Sequence, residues 1–351
     1  MFVGTHIDPV SFAPFAHGGD LATARRLFPN APEPIMDLST GINPYPYPLP
    51  PFPEQIFTRL PDRAALRGIA AVAARSYGAP SADCVVPAPG VQILLPMVAR
   101  LASPGRAAIL GPTYAEHFRA AALAGHVATE VTDITQVKDV QLAIVVNPNN
   151  PDGRIVPKAS LLRVAEALSR HLGILVVDEA FADVVAPEVS LGGETTHNNL
   201  VVLRSFGKFF GLAGLRLGFA LAAPLIARRL EILLGPWPVS GPAIFIGEKA
   251  LADDRWKATT LQRLSEAAQQ LDSLLVRRGL EIIGGTSLYR FTRFSNAHAL
   301  FEHLGRAGIF VRGFAEDPTW LRWGLPKTQD DWQRLRATLF LRNSSGETQG
   351  R

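Results

Sequence analysis

The 351-residue chain is poor in sulfur and in charge. It holds one cysteine, Cys84, and three methionines. A single cysteine closes no internal disulfide and builds no cysteine cluster around zinc or iron–sulfur, so a reducing cytoplasm is the expected setting and Cys84 a small core residue. Charged residues make up 19%, with a formal net charge of +4 and no dense Lys/Arg run. That argues against nucleic-acid binding and leaves a mild excess suited to small anions. No apolar run approaches the ~20 residues needed to cross a bilayer. The first residues lack a basic segment followed by an apolar core, so no signal peptide is expected either. Apolar residues are abundant at 47%, enough for a large core and two domains.

The chain is organised around Ser205-Phe-Gly-Lys208-Phe-Phe-Gly-Leu-Ala-Gly214-Leu-Arg216-Leu-Gly218. A strand-like run, Leu200–Arg204, enters it, and a second apolar run, Leu217–Ala222, leaves it. A lysine in an apolar loop is partly desolvated, which lowers its pKa and makes it a nucleophile toward aldehydes. Arg216 offers a planar fork suited to phosphate. Together they suggest pyridoxal phosphate, although a surface Lys and Arg flanking a glycine-rich turn would read the same.

Upstream, buried-strand patterns alternate with helices. Asp62–Tyr77, Ile93–Leu101 and Pro157–Leu172 read as helices, and Cys84–Ala88, Ala107–Leu110, Gln141–Val146 and Gly173–Val177 as strands. Continuous apolar runs separated by helices mark a mostly parallel sheet covered on both faces. Ligands in such α/β sheets bind at the carboxyl ends of strands. Gly90-Val91 opens a helix, where free N–H groups and the helix dipole favour an anion. Asp178 follows four apolar strand residues, so its carboxylate needs a cationic partner, and a protonated pyridine would be one. Asn150, in Asn147-Pro-Asn-Asn-Pro-Asp-Gly153, could donate to a ring oxygen, and Tyr114 could stack on a ring. Each feature has an ordinary reading: a turn for the Asn-Pro run, a helix cap for Asp178. Their order and joint occurrence favour the cofactor.

These motifs resemble those of the fold-type I pyridoxal-phosphate enzymes, in the branch that holds histidinol-phosphate aminotransferase. Asn147–Gly153 is similar to that branch's N-P-N-N-P-T-G, Asp178-Glu-Ala-Phe181 to its D-E-A-Y/F, and Ser205–Gly218 to its lysine motif. The resemblance implies pyridoxal 5'-phosphate bonded to Lys208, with Asp178 on the pyridine nitrogen and Asn150 on the ring oxygen. It implies Tyr114 on the ring face, and Gly90, Val91, Ser205 and Arg216 around the phosphate. Phe181, Gly207 and Leu60 stand where aminotransferases carry Tyr, Ser/Thr and Tyr, and Pro89-Gly90-Val91 replaces a G-A-D-like turn.

Residues 1–53 read as a Pro- and Gly-rich arm, 54–245 as the large α/β cofactor domain, and 246–351 as a small α+β domain. The arm holds His17-Gly18-Gly19 and Asp37-Leu-Ser-Thr-Gly-Ile-Asn43-Pro44. It resembles the start of the threonine-phosphate decarboxylases of cobalamin synthesis, with their H-G-G and F-S-x-N-I-N-P. Thr113–His117 and Pro236–Ser240 are also similar to that group. The resemblance implies decarboxylation of L-threonine O-3-phosphate by a homodimer, with no nucleic-acid or membrane partner. His17, Gly18, Asn43 and Arg322 would bind this small phosphorylated substrate, with Arg312 as a further candidate. The alternatives are a histidinol-phosphate or related aminotransferase and, from another class, a non-catalytic cofactor-binding regulator.

Overall fold

The computed structural model describes residues 18–340. After a two-residue strand, β1 (Met36–Asp37), come the seven strands of the main sheet. They are β2 (Val85–Ala88), β3 (Arg106–Leu110), β4 (Val127–Val131), β5 (Leu142–Val146), β6 (Ile174–Asp178), β7 (Leu200–Ser205) and β8 (Gly218–Ala222). Their spatial order is β2-β8-β7-β6-β5-β3-β4. Strands β3 to β7 run parallel, and only β8 opposes its two neighbours. Every residue of β5, β6 and β8 is buried, as the continuous apolar runs require of a sheet covered on both faces. The fold is thus α/β, with a mostly parallel central sheet.

Strand β4 escapes the sequence pattern for a physical reason. It is the sheet edge, and its residues are exposed or half-buried, with no buried face. The helix Glu116–Leu123 that precedes it is short and was equally unmarked.

A second sheet is antiparallel: β9 (Glu281–Thr286), β10 (Tyr289–Arg293), β12 (Arg312–Gly313) and β13 (Trp320–Gly324), in the order β12-β13-β10-β9. Strand β9 is hidden in the sequence by Gly284 and Gly285. Gly284 lies where a Cβ would meet the Asp152 carbonyl oxygen at 2.0 Å, so the asparagine–proline loop lies directly on it. The run Gly308–Arg312 is divided between two strands. β11 (Ile309–Phe310) pairs in parallel with β1, while β12 turns to pair with β13.

Two helices connect the sheets. Gly241–Ala252 packs on Arg63–Tyr77 against the main sheet, and Asp254–Arg277 packs on β9 and β10. The break between them is Asp253, whose Oδ1 accepts from Trp256 N at 2.9 Å and so caps the second helix.

The arm from residue 36 is stitched between the two sheets. Leu38 N donates to Phe310 O and Gly324 N to Leu38 O, both at 2.7 Å. Further on, Asn43 N donates to Lys208 O at 3.0 Å and Tyr47 N to Phe210 O at 2.9 Å. Proline-rich backbone cannot join a sheet interior, so it satisfies its remaining donors on loops. The lysine turn, the arm and the small sheet therefore share one hydrogen-bonded seam.

Candidate active site

The carboxyl ends of β5, β6 and β7 open into one cavity, bordered also by residues of β12, β13 and the arm. Asp178 ends β6 and is 4% exposed. Its Oδ2 lies 3.0 Å from Nε2 of buried His117, and its Oδ1 accepts from Ala180 N at 2.9 Å. The carboxylate is therefore fixed in place before any ligand arrives, with part of its lone-pair capacity still open to the cavity.

Lys208 lies in the short helix Phe206–Phe209 after β7. Three buried aromatics hold this turn: Phe206 stacks on Phe210 at 4.3 Å, Phe210 stacks on Trp256 at 5.6 Å, and Phe209 meets Phe210 edge-on. Only the amine is left to face the cavity. Burial, and then the nearby Arg322, push its pKa down to about 8, with Asp178 opposing. A buried cation loses solvation and is repelled by its neighbours, so the neutral nucleophile is more populated than in a solvated lysine.

At one end of the cavity Gly90 precedes the helix Val91–Ala99 with φ +87 and no side-chain cap. The first N–H groups of that helix are thus available to a ligand. A Cβ on Gly90 would meet Arg216 Nη2 at 2.8 Å, and one on Gly218 would meet Val91 N at 2.7 Å, so both positions need glycine. Arg216 itself sits in left-handed backbone, with Nη1 on Ala213 O at 3.0 Å. Ser205 borders the same space. This is a phosphate-sized cradle of N–H donors, a hydroxyl and a guanidinium.

At the other end Arg322 and Arg312 are cross-strand partners on β13 and β12. Arg322 Nη1 donates to Asn150 Oδ1 at 2.5 Å and Nη2 to Ser39 O at 2.6 Å. Its Nε has no partner among the described residues. Burial, then Arg312, lower the Arg322 pKa, and burial lowers that of Arg312, with Glu316 opposing. Like charges directly across a ladder destabilise a sheet, so this pair marks a place for anionic groups. Among the described lining residues four are cations (Lys208, Arg216, Arg312, Arg322) and one, Asp178, is a carboxylate.

Pyridoxal phosphate fits these residues. The cradle takes a phosphate, the desolvated amine an aldehyde, and the anchored carboxylate a pyridinium. Asn150 gives its oxygen to Arg322 and keeps its amide for a ring oxygen. Tyr114 borders the cavity with its hydroxyl 3.1 Å from Gln92 Oε1 and its ring edge-on to His117.

The structure brings Lys208, Asp178, Asn150, Tyr114, Gly90, Val91, Ser205, Arg216, Gly18, Arg312 and Arg322 around this one cavity. His17 lies outside the described residues. Asn43 is a correction: it does not reach the cavity. Its Nδ2 donates to Phe209 O at 2.8 Å and its Oδ1 accepts from Tyr45 N at 2.8 Å, so its polar atoms are spent on backbone beneath the lysine turn. Phe181 is buried edge-on against Tyr289 and carries no hydroxyl to offer. At Gly207 a Cβ would meet Ala213 Cα at 2.9 Å, which explains the missing Ser/Thr. Leu60 is exposed and does not line the cavity. The sequence alone does not mark His117, Gln92 or Thr40 as cavity neighbours. His117 enters the sequence reading only as the last residue of the Thr113–His117 segment, and nothing there points it at Asp178.

The model of the class I and II aminotransferase family matches residues 63–339. The chain is 41% identical over 327 residues to a threonine-phosphate decarboxylase of Pseudomonas aeruginosa, covering 92% of this chain and 97% of that protein. It is 44% identical over 316 residues to a threonine-phosphate decarboxylase of a Sinorhizobium species, covering 89% and 94%. Among solved structures, the histidinol-phosphate aminotransferase of Sinorhizobium meliloti in complex with pyridoxal-5'-phosphate superposes with a TM-score of 0.79 at 19% identity, covering 95% and 96%.

Proposed function

Because this chain belongs to the class I and II aminotransferase family, we propose that it uses pyridoxal phosphate to decarboxylate L-threonine O-3-phosphate to CO2 and (R)-1-amino-2-propanol O-2-phosphate. The observation that carries this reading is the cavity's charge: four cations against one carboxylate. Arg216 answers the phosphate of the cofactor. Arg312 and Arg322 border the cavity as well, where a substrate with two anionic groups, which threonine phosphate has, would meet them. Histidinol phosphate, an amino alcohol phosphate, brings no carboxylate. The full-length similarity to threonine-phosphate decarboxylases supports the same choice.

Bound there, pyridoxal phosphate supplies an electron sink for the pair left at the α-carbon when CO2 departs. The chain's own residues do the rest. Asp178, held by His117 and Ala180 N, keeps a negative charge where the ring nitrogen needs one. Asn150 and Arg322 fix each other, so the substrate's anionic group is gripped by a guanidinium that cannot swing away. The Lys208 amine, with a pKa about 8, can both accept and return a proton at Nζ near neutral pH. Phe181 contributes shape without a hydroxyl.

We place the enzyme in cobalamin synthesis, where its product would form the aminopropanol linker, and in the cytoplasm as a homodimer. Ile232 and Trp237 stand exposed around one groove and support the dimer. No helix among the described residues is long and apolar enough to cross a membrane. The test is direct. Purified protein given L-threonine phosphate, without any keto acid, should release CO2. Transfer of the amino group from histidinol phosphate to 2-oxoglutarate with no CO2 from threonine phosphate would overturn the reading.

A further inference from the structure

Thr40 borders the same cavity as Arg322, Lys208 and Gly18, yet no role falls to it from the reading above. Its surroundings fix what it can do. The residue before it, Ser39, holds Arg322 Nη2 through its carbonyl at 2.6 Å. Ser39 Oγ in turn accepts from Gly19 N at 2.8 Å and donates to Asp37 Oδ1 at 2.6 Å, so the backbone at position 39 is pinned from three sides. On its other side the Thr40 carbonyl packs against Gly324, where a Cβ would sit 2.5 Å away. The Thr40 methyl lies toward Gly19, where a Cβ would be 3.2 Å from Cγ2. A β-branched side chain has restricted χ1 freedom. No hydrogen bond of its hydroxyl forms within the described residues. The hydroxyl is thus the one side-chain polar group of a residue held in place on both sides, and that residue borders the cavity.

Resting on the proposed function, we infer that Thr40 is a substrate-specificity residue: its hydroxyl donates to the anionic group of the substrate held by Arg322. The chemistry is that of a fixed neutral donor beside a guanidinium, which adds direction to a charge that alone has little. The arrangement selects a phosphate or carboxylate oxygen at this spot. The hydroxyl touches the substrate's anionic end rather than the bond that breaks, so its contribution is to binding.

The experiment compares Thr40→Val, which keeps the shape and removes the hydroxyl, with Thr40→Ser, which keeps the hydroxyl and removes the methyl. Holoenzyme is titrated with L-threonine phosphate, binding is read from the visible absorbance of the cofactor, and CO2 release is measured in parallel. Thr40→Val is expected to weaken binding and raise KM about ten- to a hundred-fold, the loss of a hydrogen bond to a charged group, with kcat within about threefold. Thr40→Ser should stay near the parent, and cofactor absorbance without substrate should be unchanged in both. Parental binding by Thr40→Val, or equal damage from Thr40→Ser, would overturn the inference, because the methyl and the packing would then be what matters. If the parent binds threonine phosphate and Thr40→Val does not, but neither releases CO2, then the decarboxylase reading fails while the anion contact stands.

Discussion

Lys208 is where burial and charge act together on one atom. Its pKa is depressed from 10.5 to about 8 by burial first, then by Arg322, against the pull of Asp178. At pH 7 roughly a tenth of the amine is then neutral, against less than a thousandth for a solvated lysine. The neutral form is the nucleophile, so capture of pyridoxal phosphate by the cofactor-free protein should rise with pH and be half-maximal near pH 8. Stopped-flow absorbance after mixing with the cofactor would measure this, and borohydride followed by peptide mapping should find the adduct on Lys208. A midpoint near 10.5, or an adduct on another lysine, would refute the assignment. The linkage has a definite sign. Between about pH 8 and 10.5 the unfolded chain binds more protons at this site than the folded one, so the cofactor-free protein gains stability from it as pH rises through that window. Lys208, Asp178 and Arg216 are legible in the sequence because they stand in motifs that occur together and in order, which outweighs the ordinary reading each has alone. Asn43 misled for a different reason. A polar residue in an irregular arm reads as ligand-facing, and only the fold shows that two backbone groups have already claimed it.

At the scale of elements, the lysine turn explains one departure from the family pattern and yields a test. β7 ends at Ser205 and the chain folds at once into Phe206–Phe209, so Gly207 is pressed against Ala213 Cα, where a Cβ would sit at 2.9 Å. The neighbour is backbone and cannot step aside cheaply. Gly207→Ser, which writes the common Ser/Thr back in, is therefore expected to lower stability by about 1–3 kcal/mol and to displace Ser205 and Arg216 from the phosphate cradle. Thermal unfolding with and without pyridoxal phosphate measures both effects, and unchanged stability would show that the 213–215 turn is softer than its packing implies. The strands that carry the site were readable as buried runs. Those missed, β4 and β9, are an exposed edge and a glycine-bearing strand. Neither has the uniform apolar face that makes a strand visible in sequence. The split of Gly308–Arg312 into β11 and β12 was equally out of reach, because its two halves pair with residues about 270 positions before and about ten after. The pairing of Arg312 with Arg322, and so the doubled anion site, depends on that split.

For the whole molecule, the exposed apolar surface decides how many chains act together. Helix Pro224–Leu234 leaves Leu225, Ile232 and Leu233 in solvent, and Leu60 and Phe57 are exposed beside the start of helix Arg63–Tyr77. Between these helices runs a groove bordered by Leu66, Ile232, Leu234 and Trp237. Trp237 is the telling residue. It lies between two prolines, has φ +57 and is 55% exposed. Left-handed backbone is costly for a bulky residue, and an exposed indole forfeits the burial that normally repays such strain. Both costs are met if a second copy of the chain covers this face, and aromatic residues are the usual anchors of such contacts. The protein is therefore expected to run at about twice its 37.9 kDa chain mass in light scattering. Trp237→Asp should shift it toward the monomer, since a desolvated carboxylate at the centre of an interface has no partner there. Trp237 borders no part of the cofactor cavity among the described residues. A monomeric Trp237→Asp that keeps full kcat and KM would show that one chain suffices for catalysis. A monomer that binds cofactor but loses turnover would show that the second copy completes the site. A wild-type protein that is already a monomer would refute the covered face outright, and the strain at Trp237 would then need an explanation within the single chain.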